Sequence, residues 1–71
     1  MNTKTHQIHT SNGIIHITIG KKYKGTGYSG MSDGVEVTGI LTEYDQRLDS
    51  ATLQDERKML HAVIPTTLRE C

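Results

Sequence analysis

Residues 25–30 read Gly25-Thr26-Gly27-Tyr28-Ser29-Gly30, a match to G-x-G-x-x-G, the pattern by which a chain wraps its backbone around a pyrophosphate. In a dinucleotide fold these glycines lie between a strand and a helix whose N-terminus faces the phosphates, with an acidic residue about 20 positions later for the ribose. Here Gly30-Met31-Ser32-Asp33-Gly34 adds more glycine and leads into Val35-Glu36-Val37, a strand-like run. A kinase-type loop does join two strands, but it needs a valine two positions after the last glycine, where this chain has Ser32, and a catalytic lobe that 71 residues cannot contain. The glycines therefore predict a wide inter-strand loop over residues 20–34, where backbone entropy disfavours regular structure. No cofactor is expected.

Strand signals lie on both sides of that loop. His6-Gln7-Ile8-His9-Thr10 is followed by Ser11-Asn12-Gly13, and Asn12-Gly13 can supply the two positive-φ positions of a tight hairpin turn. In the next arm Ile15, Ile17 and Ile19 share one face, with His16 and Thr18 on the other. Val35 and Val37 point inward in the following run, and a bulge at Gly39 would bring Ile40 and Tyr44 onto the buried face. Residues 51–60 are rich in helix formers, and Thr52 with Asp55 approximates a capping box, so a short helix is expected between 50 and 60; the alternative is a charged hairpin loop feeding a strand. His61-Ala62-Val63-Ile64 precedes Pro65 and should be extended. The sum is a small single-domain β-rich (α+β) fold over residues 6–71, after a flexible tail at 1–5. Its antiparallel sheet has about four strands, near 6–10, 14–19, 35–44 and 60–64, with one short helix. Its expected core contains Ile15, Ile17, Ile19, Val35, Val37, Ile40, Leu60 and Ile64.

Composition narrows the function classes. Hydrophobic residues make up 34% of the 71, with three tyrosines and neither Phe nor Trp, so the core must be largely aliphatic. The single cysteine, Cys71, excludes a disulfide within the chain and favours a reducing, cytoplasmic setting. No apolar run approaches the length of a membrane span, and the opening residues do not resemble a signal sequence. Net charge is zero, which argues against a dedicated nucleic-acid binder, yet the charges are segregated. Residues 1–30 hold four lysines and no carboxylate, whereas residues 31–71 hold eight carboxylates and four basic groups. Such a division reflects either internal complementarity or a surface built for a charged partner.

The candidate partner-binding residues are Lys21, Lys22, Tyr23, Lys24 and Tyr28. Lysines there would steer an acidic protein while the tyrosines supply desolvated anchors. The same residues could hold single-stranded nucleic acid, lysine on phosphate and tyrosine on base. They could also form a solvated strand end with Tyr23 packed on the core. Four histidines invite a metal reading, but a structural zinc site usually adds cysteines, and none is expected here. His9 and His16 should lie on the solvent side of the hairpin. Catalysis is not expected either: Cys71 has no base beside it, Ser29 and Ser32 fall in the loop, and Glu36, Glu43 and Asp45 look like exposed carboxylates.

The segment Ala62-Val63-Ile64-Pro65-Thr66-Thr67-Leu68 resembles the end of SH3-type barrels, where a strand ends in Ile-Pro, makes one tight helical turn and re-enters the sheet. That resemblance implies a partly open SH3-like barrel. The acidic-aromatic opening and paired tryptophans of that family are absent, so its proline-rich peptide groove is not carried over. In size, neutral charge and organisation the chain also resembles the small regulators that lytic bacteriophages make to bind host machinery, host RNA polymerase included. This implies a non-catalytic regulator in the host cytoplasm that binds a larger protein, with inhibition of transcription as one outcome. The alternative is a small nucleic-acid-binding barrel using the Lys/Tyr loop.

Overall fold

The computed structural model describes residues 4–28 and 33–71. Its strands are β1 (Thr5–Thr10), β2 (Gly13–Thr18), β3 (Lys22–Thr26), β4 (Glu36–Asp45), β5 (Ser50–Gln54), β6 (Leu60–Val63) and β7 (Arg69–Glu70), with a 3-10 turn at Pro65–Thr67. β1 and β2 form a two-stranded sheet, and the others form a five-stranded sheet in the order β6-β5-β4-β3-β7. Every pairing is antiparallel. The expected small β-rich domain is therefore the observed one. β3 and β6 touch at one bridge, Gly27 to Val63, beside a hydrogen bond from the Ile64 N–H to the Thr26 carbonyl at 2.9 Å. That contact does not close the sheet into a barrel.

β3 runs through the stretch expected to be a loop. Lys22, Lys24 and Thr26 alternate with buried Tyr23, Gly25 and Gly27, which is strand periodicity with glycine on the inner face. Glycine suits that face because the Pro65–Thr67 turn and Leu68 pack directly on it. A Cβ at Gly25 would lie 2.9 Å from Leu68 Cδ2 and 3.5 Å from Val63 Cβ. The strand's entropic cost is thus offset by close packing against the chain's last elements. After β6, one helical turn at Pro65–Thr67 leads into β7, which pairs with β3.

The β1–β2 hairpin pairs Thr10 with Gly13, so its turn residues are Ser11 and Asn12, one position earlier than expected. Gly13 alone of the three carries a positive φ, +124°. Ile17 on β2 is buried, as is Ile8 on β1, while His9 and His16 face solvent. The hairpin is tied to the large sheet by the Tyr23 hydroxyl, which accepts the Thr18 N–H at 2.7 Å, and by the Gly20 N–H on the Leu41 carbonyl at 2.8 Å.

Two expectations about β4 and the following segment are corrected. Gly39 is not a bulge: Val37, Gly39 and Leu41 stay on the inner face in unbroken alternation. The irregularity falls between Leu41 and Glu43, where Thr42 is the extra residue, and it turns Tyr44 toward the Ala51 side. Ile40 consequently faces outward, as do Val35 and Leu60, so all three leave the expected core. Ile64 is half-buried. Ile17 and Val37 are core as expected, Ile15 and Ile19 pack at its margin, and the rest of the buried hydrophobic cluster is Ile8, Tyr23, Leu41, Ala51, Leu53, Val63 and Leu68.

The second correction is that residues 50–60 contain no helix. Ala51 and Leu53 are buried while Ser50, Thr52 and Gln54 are not, a period of two. Asp55 then starts a turn instead of capping a helix. Its Oδ1 accepts the N–H groups of Arg57 at 2.8 Å and Met59 at 3.0 Å, and Lys58 completes the reversal at φ +64°. Asp45 does the same one hairpin earlier, accepting the Arg47 N–H at 2.9 Å, with Asp49 at φ +51°.

Candidate functional site

The five expected binding residues do not form one patch. Lys21 and Lys22 are exposed. Tyr23 is 2% exposed, with its hydroxyl committed to Thr18, so its ring belongs to the core and not to a contact surface. Lys24 sits 3.6 Å from Glu36, whose other oxygen accepts from Arg69 at 2.8 Å. Tyr28 is partly exposed beyond the end of β3, where its N–H reaches the Ala62 carbonyl. Strand alternation accounts for the separation, since Lys22 and Lys24 share the outer face of β3 and Tyr23 the inner.

The G-x-G-x-x-G stretch is likewise structural where it is described. Gly25 seats the 3-10 turn, and Gly27 bonds Val35 and Gly34 through its N–H and carbonyl. Gly30, Ser29, Ser32 and the first three residues of the expected tail lie outside the described residues. Of the segregated charges, Lys24 with Glu36 is the one ion pair that joins the two halves of the sequence among the described residues.

A groove of about 680 Å³ lies on the outer side of the sheet, between β4 and the turn after β5. Ile40 and Met59 give it an apolar floor, 39% and 57% exposed, and Lys22, Thr38, Gln54 and Arg57 surround them. Lys22 comes from β3, Ile40 is its partner on β4, and Gln54 is the next neighbour on β5. Arg57 and Met59 come from the turn that Asp55 holds. Asp55 also accepts from His61 Nε2 at 2.8 Å. Its carboxyl is held below the ordinary value, first by the His61 hydrogen bond and then by the Met59 N–H, against an opposing effect of burial. The carboxylate is thus an internal part of the turn, leaving Glu56 as the exposed acid of the rim.

Sequence reasoning misses this groove because it places Ile40 in the core and Met59 on a helix. The available signal was the repeated Asp-x-Arg of Asp45-Gln46-Arg47 and Asp55-Glu56-Arg57, two turn starters spaced for consecutive hairpins. A smaller cavity of about 250 Å³ lies between the hairpin and the β4 bulge, lined by Lys4, His6, Ile19, Thr42, Glu43 and Tyr44. The His6 and Tyr44 rings meet there at 5.0 Å. Among the described residues no group of three His, Cys, Asp or Glu is placed to hold a metal ion, and no helix is long and apolar enough to cross a membrane. No protein-family model, curated protein or solved structure matches the chain.

Proposed function

We propose that the protein is a non-catalytic regulator that acts in the cytoplasm by binding a larger protein through the groove between β4 and the turn after β5. The observation that carries this reading is the groove itself: Ile40 and Met59 exposed side by side, flanked by Lys22 and Arg57, neither of which has an ion-pair partner among the described residues. Exposed apolar side chains inside a charged rim are the usual make-up of a protein contact. The acid–base pair that lines the groove, Asp55 with His61, serves the turn, and this supports binding over catalysis. Nucleic acid is the weaker occupant, because the ring of Tyr23 is buried and Lys24 is already neutralised by Glu36.

Bacterial RNA polymerase is the first partner to test, on the resemblance to small phage regulators. The immobilised chain is exposed to purified polymerase, and promoter-directed transcription is followed in parallel. Binding lost in Ile40→Asp and Met59→Asp variants that remain folded supports the reading. Micromolar binding of single-stranded DNA with a steep salt dependence, and none of the polymerase, favours the nucleic-acid alternative.

A further inference from the structure

The backbone at the groove says more than its side chains. The Leu41 N–H donates to the Lys21 carbonyl at 2.8 Å, and the Gly27 N–H donates to the Val35 carbonyl at 2.9 Å. These bonds flank the β3–β4 ladder and fix its phase: odd-numbered residues of β4 turn their N–H and C=O groups toward β3. Alternation then directs those of Glu36, Thr38 and Ile40 to the opposite edge. Ile40 meets Gln54 there, but Gln54 is the last residue of β5, so Thr38 and Glu36 have no strand beside them among the described residues.

Two features keep β5 from extending into that position. Asp55 bends the chain away through the N–H groups of Arg57 and Met59. The departing backbone also crosses so close to Gly39 that a Cβ there would collide with the Gln54 carbonyl. The result is a gap in the sheet, one strand wide, that opens into the groove lined by Thr38, Gln54 and Arg57. Unpaired main-chain groups on a strand edge are a template for another extended chain.

We propose that this gap is a strand-addition site: residues 36–38 of β4 accept an extended segment of a partner protein, preferentially one that carries a carboxylate beside apolar side chains. The proposal rests on the protein-binding reading above and specifies how the partner is held. A helix has no free backbone groups to offer Thr38 and Glu36, whereas an extended segment does. Its apolar side chains would rest on Ile40 and Met59. Its carboxylate would meet Lys22 and Arg57, cations of the lining with no ion-pair partner among the described residues; of the two acids there, Asp55 is already occupied by hydrogen bonds, and Glu56 is the exposed one that the carboxylate must avoid.

The test uses the full chain labelled with 15N and, as probe, a capped hexapeptide of alternating Glu and Val. In the free protein the Thr38 amide should exchange with solvent about tenfold or more faster than those of Val37 and Gly39, which face β3. The peptide should slow Thr38 exchange about tenfold and shift the Thr38, Gly39, Ile40 and Gln54 resonances. A peptide with Lys in place of Glu should bind at least about fivefold more weakly, and Arg57→Glu should lower affinity for the Glu peptide by a similar factor. Thr38→Pro, which removes only an unpaired N–H, should fold and not bind; should it fail to fold, Arg57→Glu decides. The proposal is overturned if Thr38 is as protected as Gly39 in the free chain, or if its protection rises with protein concentration alone, which would make the occupant a second copy. Saturable peptide binding that leaves Thr38 exchange unchanged overturns it as well, as does no binding at millimolar peptide. Polymerase binding that the peptide does not compete for would leave the regulator reading standing and remove strand addition. Peptide binding without polymerase binding would do the reverse.

Discussion

Replacing Gly39 with alanine should destabilise the protein, although every local consideration says otherwise. Gly39 is not among the glycines with positive φ, so alanine can adopt its backbone angles. In an unconstrained strand the exchange would stabilise the fold by roughly 0.5–1 kcal/mol through the lower entropy of the unfolded chain. At this position the new Cβ would lie 2.7 Å from the Gln54 carbonyl carbon and 3.2 Å from the Asp55 nitrogen, in addition to its clash with the Gln54 oxygen. These are main-chain atoms, and no side-chain rotation relieves them. β4 and β5 would have to part by something on the order of 1 Å at the place where Ile40 pairs with Gln54. Overpacking of this kind costs about 1–3 kcal/mol, and weakening one ladder hydrogen bond adds about 1. After the entropic gain, a net loss of about 1–3 kcal/mol remains, against a total of roughly 4–10 for a chain this long. With a urea slope near 1 kcal/mol/M the midpoint should fall by about 1–3 M, followed by circular dichroism. Gly25→Ala is the comparison, since its Cβ meets the tip of Leu68, a side chain that can rotate, and its loss should be the smaller. A Gly39→Ala protein as stable as the parent would refute the close crossing of β5 over β4, and with it the reason β5 stops at Gln54.

Other outcomes follow from the same geometry. Ile17→Ala should cost about 2–5 kcal/mol, whereas Ile14→Ala, three residues away and 52% exposed, should change stability by less than about 0.5; equal losses in urea denaturation would mean that the hairpin faces are reversed. Tyr23→Phe should cost about 1–2 kcal/mol, because the Thr18 N–H loses its acceptor, and amide exchange at Thr18 should accelerate. Asp55 ionises more readily folded than unfolded, so its stabilising contribution is complete above its ordinary carboxylate range and is lost as pH falls through the lowered folded value. Asp55→Asn should therefore be less stable than the parent at neutral pH, with the gap in urea midpoints narrowing below about pH 4; a gap independent of pH would contradict the role given to its carboxylate.

The β-rich class and the first hairpin were legible because Ile15, Ile17 and Ile19 alternate without interruption and Asn12-Gly13 marks a reversal. β3 was not, because glycine counts as a strand breaker unless one knows what lies above it, and Leu68 arrives there from the far end of the sequence. The phase of β4 failed for a related reason. Gly39 invited a bulge, but the bulge occurs at Thr42, whose composition carries no mark of it. That one displaced irregularity moved Ile40 from the core to the groove floor. β5 was hidden by helix-forming residue types in the turn after it, although Ala51 and Leu53 already showed the period of a strand. Of the readings open for residues 21–28, the one with Tyr23 packed on the core is the one its position matches, but choosing it needed the face assignment that came only with recognising β3.

The seat of the Pro65–Thr67 turn on β3 bears on the order in which the protein folds. The Thr26 N–H donates to the Thr67 hydroxyl across 41 positions of sequence, and β7 pairs with β3 over a similar span. By contrast β1 with β2, β4 with β5 and β5 with β6 are joined by short turns, and such hairpins close in about 1–10 μs. Bringing β3 to the turn and β7 means closing a far longer loop before any contact rewards it. That docking should set the overall folding rate, in the millisecond-to-second range usual for sheets built on distant pairings. Because the contact forms in that step, weakening it at Thr67 or Leu68 will slow folding and leave unfolding nearly unchanged; the lifetime of the native state is then governed by the contacts that form later.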